Sequence, residues 1–544
     1  MKMKKYLLGF SFVIYSIFAY SQYYPVTIAE ASGYQSTSTY DDVMGFIRML
    51  ERASKNIRVE YIATSVEGRA IPLLVVANPM PKTPREIGDR VVVYIQANIH
   101  AGEVEGKEAS LMFVRDILKA PGSPLLNDVV LLVCPILNAD GNEQISKQNR
   151  PNQNGPVNGV GVRYNAQMLD LNRDAMKLES PEMQGVVQNV LNRWDPAIVM
   201  DCHTTNGSYH QEPVTFTWMM NPNGSRDLIN YMRDKMMPWV SNQLSVKYKT
   251  LNCFYGEFID QRDYEKGWIS YASEPRYFTN YVGLRNRLSI LNENYVYASF
   301  EDRVMGCYNL IAAVCDYAAE RSQEIRSLIM KADNELLAIS TANPQPEFAL
   351  TYIGKPTPQA ITILTYEAEP YTDENGRERF RKTDRKRTVS VSYIADYYPV
   401  STISFPFAYI VRNDLAVIGL LKKHGIKFES LSYTDTLAVE QFIIDSLKPS
   451  PRLNQGHYNN SISGRYVAVY KTFDPNWVMV ITSQPLGRLA AYLLEPLSDD
   501  GLVFWNYWDR YLVPQWGRYF NPVPVYRLMG NIESSKINSS NESQ

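Results

Sequence analysis

Val91-Val92-Val93-Tyr94-Ile95-Gln96-Ala97, closely followed by His100-Ala101-Gly102-Glu103, is the stretch that decides the fold. A run this apolar reads as a strand buried on both faces, and such strands belong to mainly parallel sheets covered by helices. A second apolar run, Ile198-Val199-Met200, stands just ahead of His203. In open α/β sheets ligands bind beyond the carboxyl ends of the strands, so two strand exits can bring two imidazoles and a carboxylate to one place. Two neutral imidazoles and one carboxylate form a three-donor set that leaves a tetrahedral zinc one position open for water, which marks a hydrolytic and not a structural site. The chain holds only five histidines, and two of them occupy equivalent strand exits.

Working outward, further strands are expected at 129–137 and 288–291, with helices near 107–118, 181–194 and 228–244. This alternation predicts an α/β fold, an α/β/α sandwich around a central mixed sheet. A long helical stretch from Phe300 to about Leu337 closes the unit, and Asn343-Pro344-Gln345-Pro346 breaks the chain. Beyond the break, 361–365, 389–393 and 466–470 read as strands, and 486–494 and 502–512 as helices. Asn413 is expected to cap a short helix that Gly425 ends. The expected organisation is a leader at 1–21, a catalytic unit at 22–342, a C-terminal α+β domain without assignable chemistry at 347–530, and a polar, disordered tail at 531–544.

The segment between the two histidines carries Asn138-Ala139-Asp140-Gly141, then Arg150, then Asp170-Leu171-Asn172-Arg173, then Ser180-Pro181-Glu182. In this order the chain resembles the zinc carboxypeptidases of the carboxypeptidase A type. That family reads His-x-x-Glu, Asn-Pro-Asp-Gly, an arginine-bearing loop, Asp-x-Asn-Arg, a Ser-x-Pro-Glu-like helix start and a strand ending in His; here Ala139 replaces the usual proline. Ser65-Val66-Glu67-Gly68-Arg69-Ala70-Ile71 is similar to the strand and turn that open this fold, and the resemblance covers residues 35–335.

The resemblance implies that His100, Glu103 and His203 hold one zinc ion per chain, with Asp170 fixing the His100 tautomer through its far ring nitrogen. Asn172 and Arg173 would bind the free carboxylate of a peptide's C-terminus, a planar guanidinium suiting two parallel charge-assisted bonds. Arg150 would stabilise the oxyanion, and Glu293, at the end of a short apolar strand, would take a proton from the attacking water and pass it to the leaving amine. The family also uses a mobile tyrosine about two dozen residues before that glutamate; Tyr281 is assigned, with Tyr271 or Tyr277 as alternatives. Asp201 shares a strand face with His203, either supporting it or serving as an ordinary buried, hydrogen-bonded residue. Digestive members carry an arginine where Gly102 stands, and the stretch from Gly267 to Asn286, where the family reads side-chain preference, does not align.

Composition bounds the setting. Fifty-five basic against 57 acidic residues give a net charge of −2, which excludes the electrostatic footprint of a nucleic-acid binder. The basic cluster at 377–387 is interspersed with acids and reads as a solvated hairpin. Lysines at 2, 4 and 5 precede an apolar stretch from Tyr6 to Ala19, read as a signal peptide cleaved after Ser21; the expected product is exported, periplasmic or extracellular, with no membrane span in the mature chain. Five cysteines form no disulfide framework, since Cys307 and Cys315 would lie about 12 Å apart along one helix. The activity expected is a secreted zinc metallocarboxypeptidase acting on peptides or proteins with a free C-terminus. Two other readings are a zinc amidohydrolase acting on peptidoglycan stem peptides and a non-catalytic binding protein that retains the fold.

Overall fold

The computed structural model describes residues 24–531 and Ser535, apart from 121, 340–344, 432–434, 515 and 518. The expected leader, the Asn343-Pro344 break and nearly all of the expected tail lie outside the described residues. In the first half the strands are β1 (Ile57–Thr64), β2 (Ala70–Val76), β3 (Val91–Ala97), β4 (Val129–Cys134), β5 (Ile198–Thr205), β6 (Val214–Trp218), β7 (Asn252–Phe254), β8 (Glu257–Phe258), β9 (Trp268–Ile269) and β10 (Leu288–Tyr295). Eight of them form a mixed sheet in the order β1-β2-β4-β3-β5-β10-β6-β7. Its centre, β4-β3-β5-β10, is parallel, which explains why those strands are nearly continuous apolar runs: helices cover both faces. One face packs on helices Glu105–Lys119 and Phe300–Glu320, the other on Phe278–Leu284 and on helical turns from 181 to 194 that include a π-helical stretch, Val186–Leu191. From β3 the chain runs outward to β4 and then returns to β5 on the other side of β3, a reversal that opens a crevice at the strand ends carrying His100 and His203.

Two central strands run further than the sequence reading has them. β5 continues to Thr205 and β10 to Tyr295, so His203 and Glu293 sit within strands and not behind them. The extensions lack apolar continuity because their polar residues meet each other: His203 and Glu293 are register partners on the parallel pair β5–β10. The long closing helix is two, Phe300–Glu320 and Ser322–Leu337, broken at Arg321.

Beyond residue 344 come β11 (Glu347–Pro356), β12 (Ile361–Thr372), β13 (Glu378–Val391), β14 (Tyr393–Ser404), β15 (Ala408–Arg412), β16 (Glu429–Ser430), β17 (Asp435–Pro449), β18 (Asn460–Phe473), β19 (Trp477–Ile481) and β20 (Val525–Leu528). Six of them make a second sheet, β16-β19-β15-β20-β17-β18, while β12 and β13 form the exposed hairpin that carries the basic cluster. A third sheet, β11-β14-β9-β8, draws strands from both sides of residue 344. The cap of helix Leu415–His424 is Asp414, not Asn413: its carboxylate accepts from the backbone N–H groups of Ala416 and Val417, while Gly425 ends the helix at φ 85° as expected. Of 502–512 only Asp509–Leu512 is helical. Cys134, Cys202, Cys253, Cys307 and Cys315 are all buried free thiols. No helix among the described residues is long and apolar enough to cross a membrane.

Candidate metal centre and active-site cleft

The motif elements that flank the metal centre brace its loops. Asn138 caps the turn at 139–143 by accepting from the Gly141 N–H, and Asp140 accepts from Ser65 Oγ at 2.6 Å and from Arg69 Nη1 at 2.7 Å. The opening strand-and-turn and the Asn-Ala-Asp-Gly turn are thus one structural joint. Ser180 caps the helical start at Pro181, as its residue type favours.

At the crevice, His203 Nδ1 lies 3.2 Å from His100 Nδ1 and 3.1 Å from Glu103 Oε2, and His100 Nδ1 lies 3.1 Å from the same carboxylate oxygen. Three donors on a tetrahedral zinc at ordinary bond lengths stand about 3.4 Å apart, so this triangle fits the ion. The far ring nitrogens are held too: His100 Nε2 donates to Asp170 Oδ1 at 2.9 Å and His203 Nε2 to Asp201 Oδ2 at 2.8 Å. Each carboxylate thereby fixes the proton on Nε2 and turns the lone pair of Nδ1 toward the ion. Burial works against ionising Asp170, but His100 and Arg163 beside it hold its carboxyl well below the usual range. Burial likewise opposes ionisation of Glu103, and His100 and Arg150 overcome it, so the ligand stays charged. Replacing Asp170 or Asp201 by Asn should weaken zinc binding by about 10- to 100-fold, read from metal retention against a competing chelator.

Glu103 is clamped on its other oxygen by Arg150 Nη1 at 2.8 Å. The remaining Arg150 nitrogens are taken by Gln153 Oε1 and the Thr204 carbonyl. Its stem also fills the space beside Gly102: a Cβ there would meet Arg150 Cδ at 2.7 Å and the Gly161 carbonyl oxygen at 2.9 Å. Arg163, which the sequence reading did not single out, points into the same cleft, bonded to Asp170 at 2.9 Å and only loosely to Glu103 at 3.5 Å. Nothing in its neighbourhood, Gly161-Val162-Arg163-Tyr164, distinguishes it by sequence from a solvated loop arginine.

His100, Glu103, His203, Arg150, Arg163, Asn172, Arg173 and Glu293 all line one cavity of about 480 Å³. Asn172 Oδ1 accepts from the Phe278 N–H, which turns the amide toward the cleft, and the Arg173 guanidinium lies 4.3 Å from the centre of the Tyr277 ring. Glu293 opens to the cavity but is walled in by protein, and this burial pushes its carboxyl up to about 8 against the pull of His203. A divalent cation bound at the triad would act in the opposite direction and favour the charged carboxylate. Tyr281 is not in the cleft. It is fully buried in helix Phe278–Leu284 with its hydroxyl 2.8 Å from His424 Nδ1, because the apolar side of that helix faces the C-terminal half. Tyr271 and Tyr277, the alternatives, line the cavity; Tyr271 lies 22 residues before Glu293 and its hydroxyl donates to the Trp218 carbonyl.

The C-terminal half reaches the site's rim. Gln455 Oε1 accepts from the Asp170 backbone N–H at 2.7 Å, and His457 Nε2 donates to Glu179 at 2.8 Å.

Residues 43–246 match the family model described as zinc carboxypeptidase. No curated protein sequence matches the chain. Among solved structures the chain is similar to a metallo-carboxypeptidase from Burkholderia cenocepacia, at 17% identity and a TM-score of 0.38, covering 51% of this chain and 68% of that one. A metallo-carboxypeptidase from Pseudomonas aeruginosa matches at 19% identity and a TM-score of 0.37, over 51% and 69%. Carboxypeptidase A from Helicoverpa armigera matches at 15% identity and a TM-score of 0.39, over 53% and 75%. The match over residues 43–246 is what gives the chain a zinc carboxypeptidase domain and makes the protein a zinc metallopeptidase.

Proposed function

We propose that the protein removes single residues from the C-terminus of peptides after export from the cytoplasm. The observation that carries this reading is the joint placement of Asn172 and Arg173 with Glu293 and the His100-Glu103-His203 triad around one cavity. Zinc, when bound there, supplies a Lewis acid for the scissile carbonyl and lowers the pKa of water. Arg173, oriented by the Tyr277 ring, and the Asn172 amide grip the terminal carboxylate and so fix which bond meets the metal. Glu293 takes the proton of the attacking water and returns it to the departing amine. Arg163 faces the developing oxyanion, since its Nη1 is held only loosely, 3.5 Å from Glu103, whereas Arg150 is bonded at 2.7–2.9 Å through all three nitrogens and serves to hold Glu103 in place.

Among the lining residues the only carboxylates are Glu103 and Glu293, while Tyr271, Tyr277, Thr279 and Leu291 present aromatic and apolar surface. A terminal residue with an uncharged side chain is therefore favoured over lysine or arginine. The lysines at 2, 4 and 5 ahead of a short apolar stretch support export.

The test compares peptides that differ only at the terminus. A free acid should be cleaved about 10- to 100-fold faster than its C-terminal amide, the span expected for losing a charge-assisted pair of hydrogen bonds. Equal rates would remove Asn172 and Arg173 from substrate binding and with them the exopeptidase reading. Mass spectrometry of a digested peptide library reads the side-chain preference in the same experiment.

A further inference from the structure

His210, Glu212 and Cys253 stand together at the far edge of the same sheet, all buried, with one donor atom from each within 4.8 Å of the others. His210 and Glu212 precede β6, and Cys253 lies on the edge strand β7, paired with Thr215. His210 Nδ1 has no hydrogen-bond partner although its residue is 3% exposed. Glu212 Oε2 stands 3.6 Å from it, too long for a hydrogen bond but close to the spacing of two donors on one tetrahedral ion. A buried imidazole nitrogen left without a partner disfavours the folded state, and a cation between it and the carboxylate removes that penalty.

We propose that His210, Glu212 and Cys253 bind a second divalent metal ion, of the zinc type, that serves structure and not hydrolysis. An imidazole, a carboxylate and a thiolate are a donor set that suits zinc, and Glu212, which accepts from the Leu364 and Gln211 N–H groups but pairs with no lysine or arginine among the described residues, gains from a positive charge beside it. Binding breaks the S–H bond of Cys253 and releases its proton to solvent while the thiolate sulfur takes up the bond to the metal. Three protein donors leave one tetrahedral position, as at the hydrolytic centre; here the three residues are buried and none of them lines the cleft, so the open position meets no substrate and the ion is left a structural role.

The surroundings indicate what the ion fastens. Glu212 Oε1 accepts from the Leu364 N–H at 2.7 Å, the Gln211 N–H donates to the Leu364 carbonyl at 2.7 Å, and His210 bridges to Thr365. All three join β12 of the exposed hairpin to the catalytic sheet. The His210 ring stacks on Tyr295, 3.7 Å between centroids, and Tyr295 is two residues beyond Glu293 on β10. The ion would thus fasten the hairpin, the edge strand and the end of the strand that carries the base.

The two sites differ in one way that spectroscopy reads: only the second contains sulfur. Full-length protein produced in cobalt-enriched medium should contain two cobalt ions per chain and show a thiolate-to-cobalt charge-transfer band in the near ultraviolet. Cys253→Ala should lose the band and one of the two ions while the weaker visible bands of the hydrolytic site remain. Glu212→Gln, which keeps an oxygen for the Leu364 N–H, should likewise fall to one ion. Wild-type protein with one cobalt per chain and no thiolate band would overturn the proposal while leaving the hydrolytic site intact. Loss of peptidase activity with the thiolate band present would count against the other site alone.

Discussion

Glu293→Gln should lower kcat by on the order of 10²- to 10⁴-fold while the zinc content stays at the wild-type level, as measured by elemental analysis of the purified variant beside steady-state rates on a free-acid peptide. The isosteric amide keeps the shape of β10 and its register against His203, so the metal triangle, which takes nothing from Glu293, is undisturbed. What disappears is the one carboxylate of the cleft that is neither a metal donor nor bonded to an arginine. Unchanged turnover would remove Glu293 from proton transfer. A parallel fall in zinc content would instead make it part of the metal site.

Arg303→Met should be the most damaging substitution for stability, at about 3–5 kcal/mol, read as a lowered midpoint of chemical denaturation. Arg303 has no exposed surface and pairs through Nε with Glu105, which also accepts from Thr204 Oγ1 at 2.5 Å. Its other nitrogens donate to the carbonyls of Asn154, Gly155, Val296 and Ala298. The substitution therefore strands a buried carboxylate two residues after the ligand Glu103 and frees the loop that carries Arg150. Adding Glu105→Gln removes the stranded charge and should restore part of the loss. A double variant no more stable than Arg303→Met alone would show that the backbone contacts, and not the ion pair, carry the effect.

Much of the first half was legible because its signals are local. The apolar runs of β3, β4, β5 and β10 are period-free and bounded, and the helix at Glu105–Lys119 follows from its spacing of apolar residues. The order of the His-x-x-Glu, Asp-x-Asn-Arg and His elements sufficed to assemble the residues that converge on the cavity. What was not legible depends on partners distant in sequence. The strand extensions through His203 and Glu293 are polar and exist only because each strand supplies the other's hydrogen bonds. Tyr281 lies within the helix Phe278–Leu284 and meets His424, 143 residues away, whereas Tyr271 and Tyr277 stand ahead of that helix and line the cavity. Arg163 gains meaning from Asp170 and Glu103 together, and no spacing rule singles it out. In the C-terminal half, long two-stranded pairings such as β17–β18 have exposed, alternating faces, so short apolar runs reveal their presence but not their length.

The sheet β11-β14-β9-β8 crosses the point at which the chain was expected to divide, and Gln455 touches the backbone of the residue that orients His100. The hydrolytic half is thus not a free-standing core with a passenger attached. Trimming the polypeptide after residue 342 would bare the edge of β9 and strip a prop from the outer coordination sphere. A nick in the linker, by contrast, would leave the two fragments clasped as neighbouring strands.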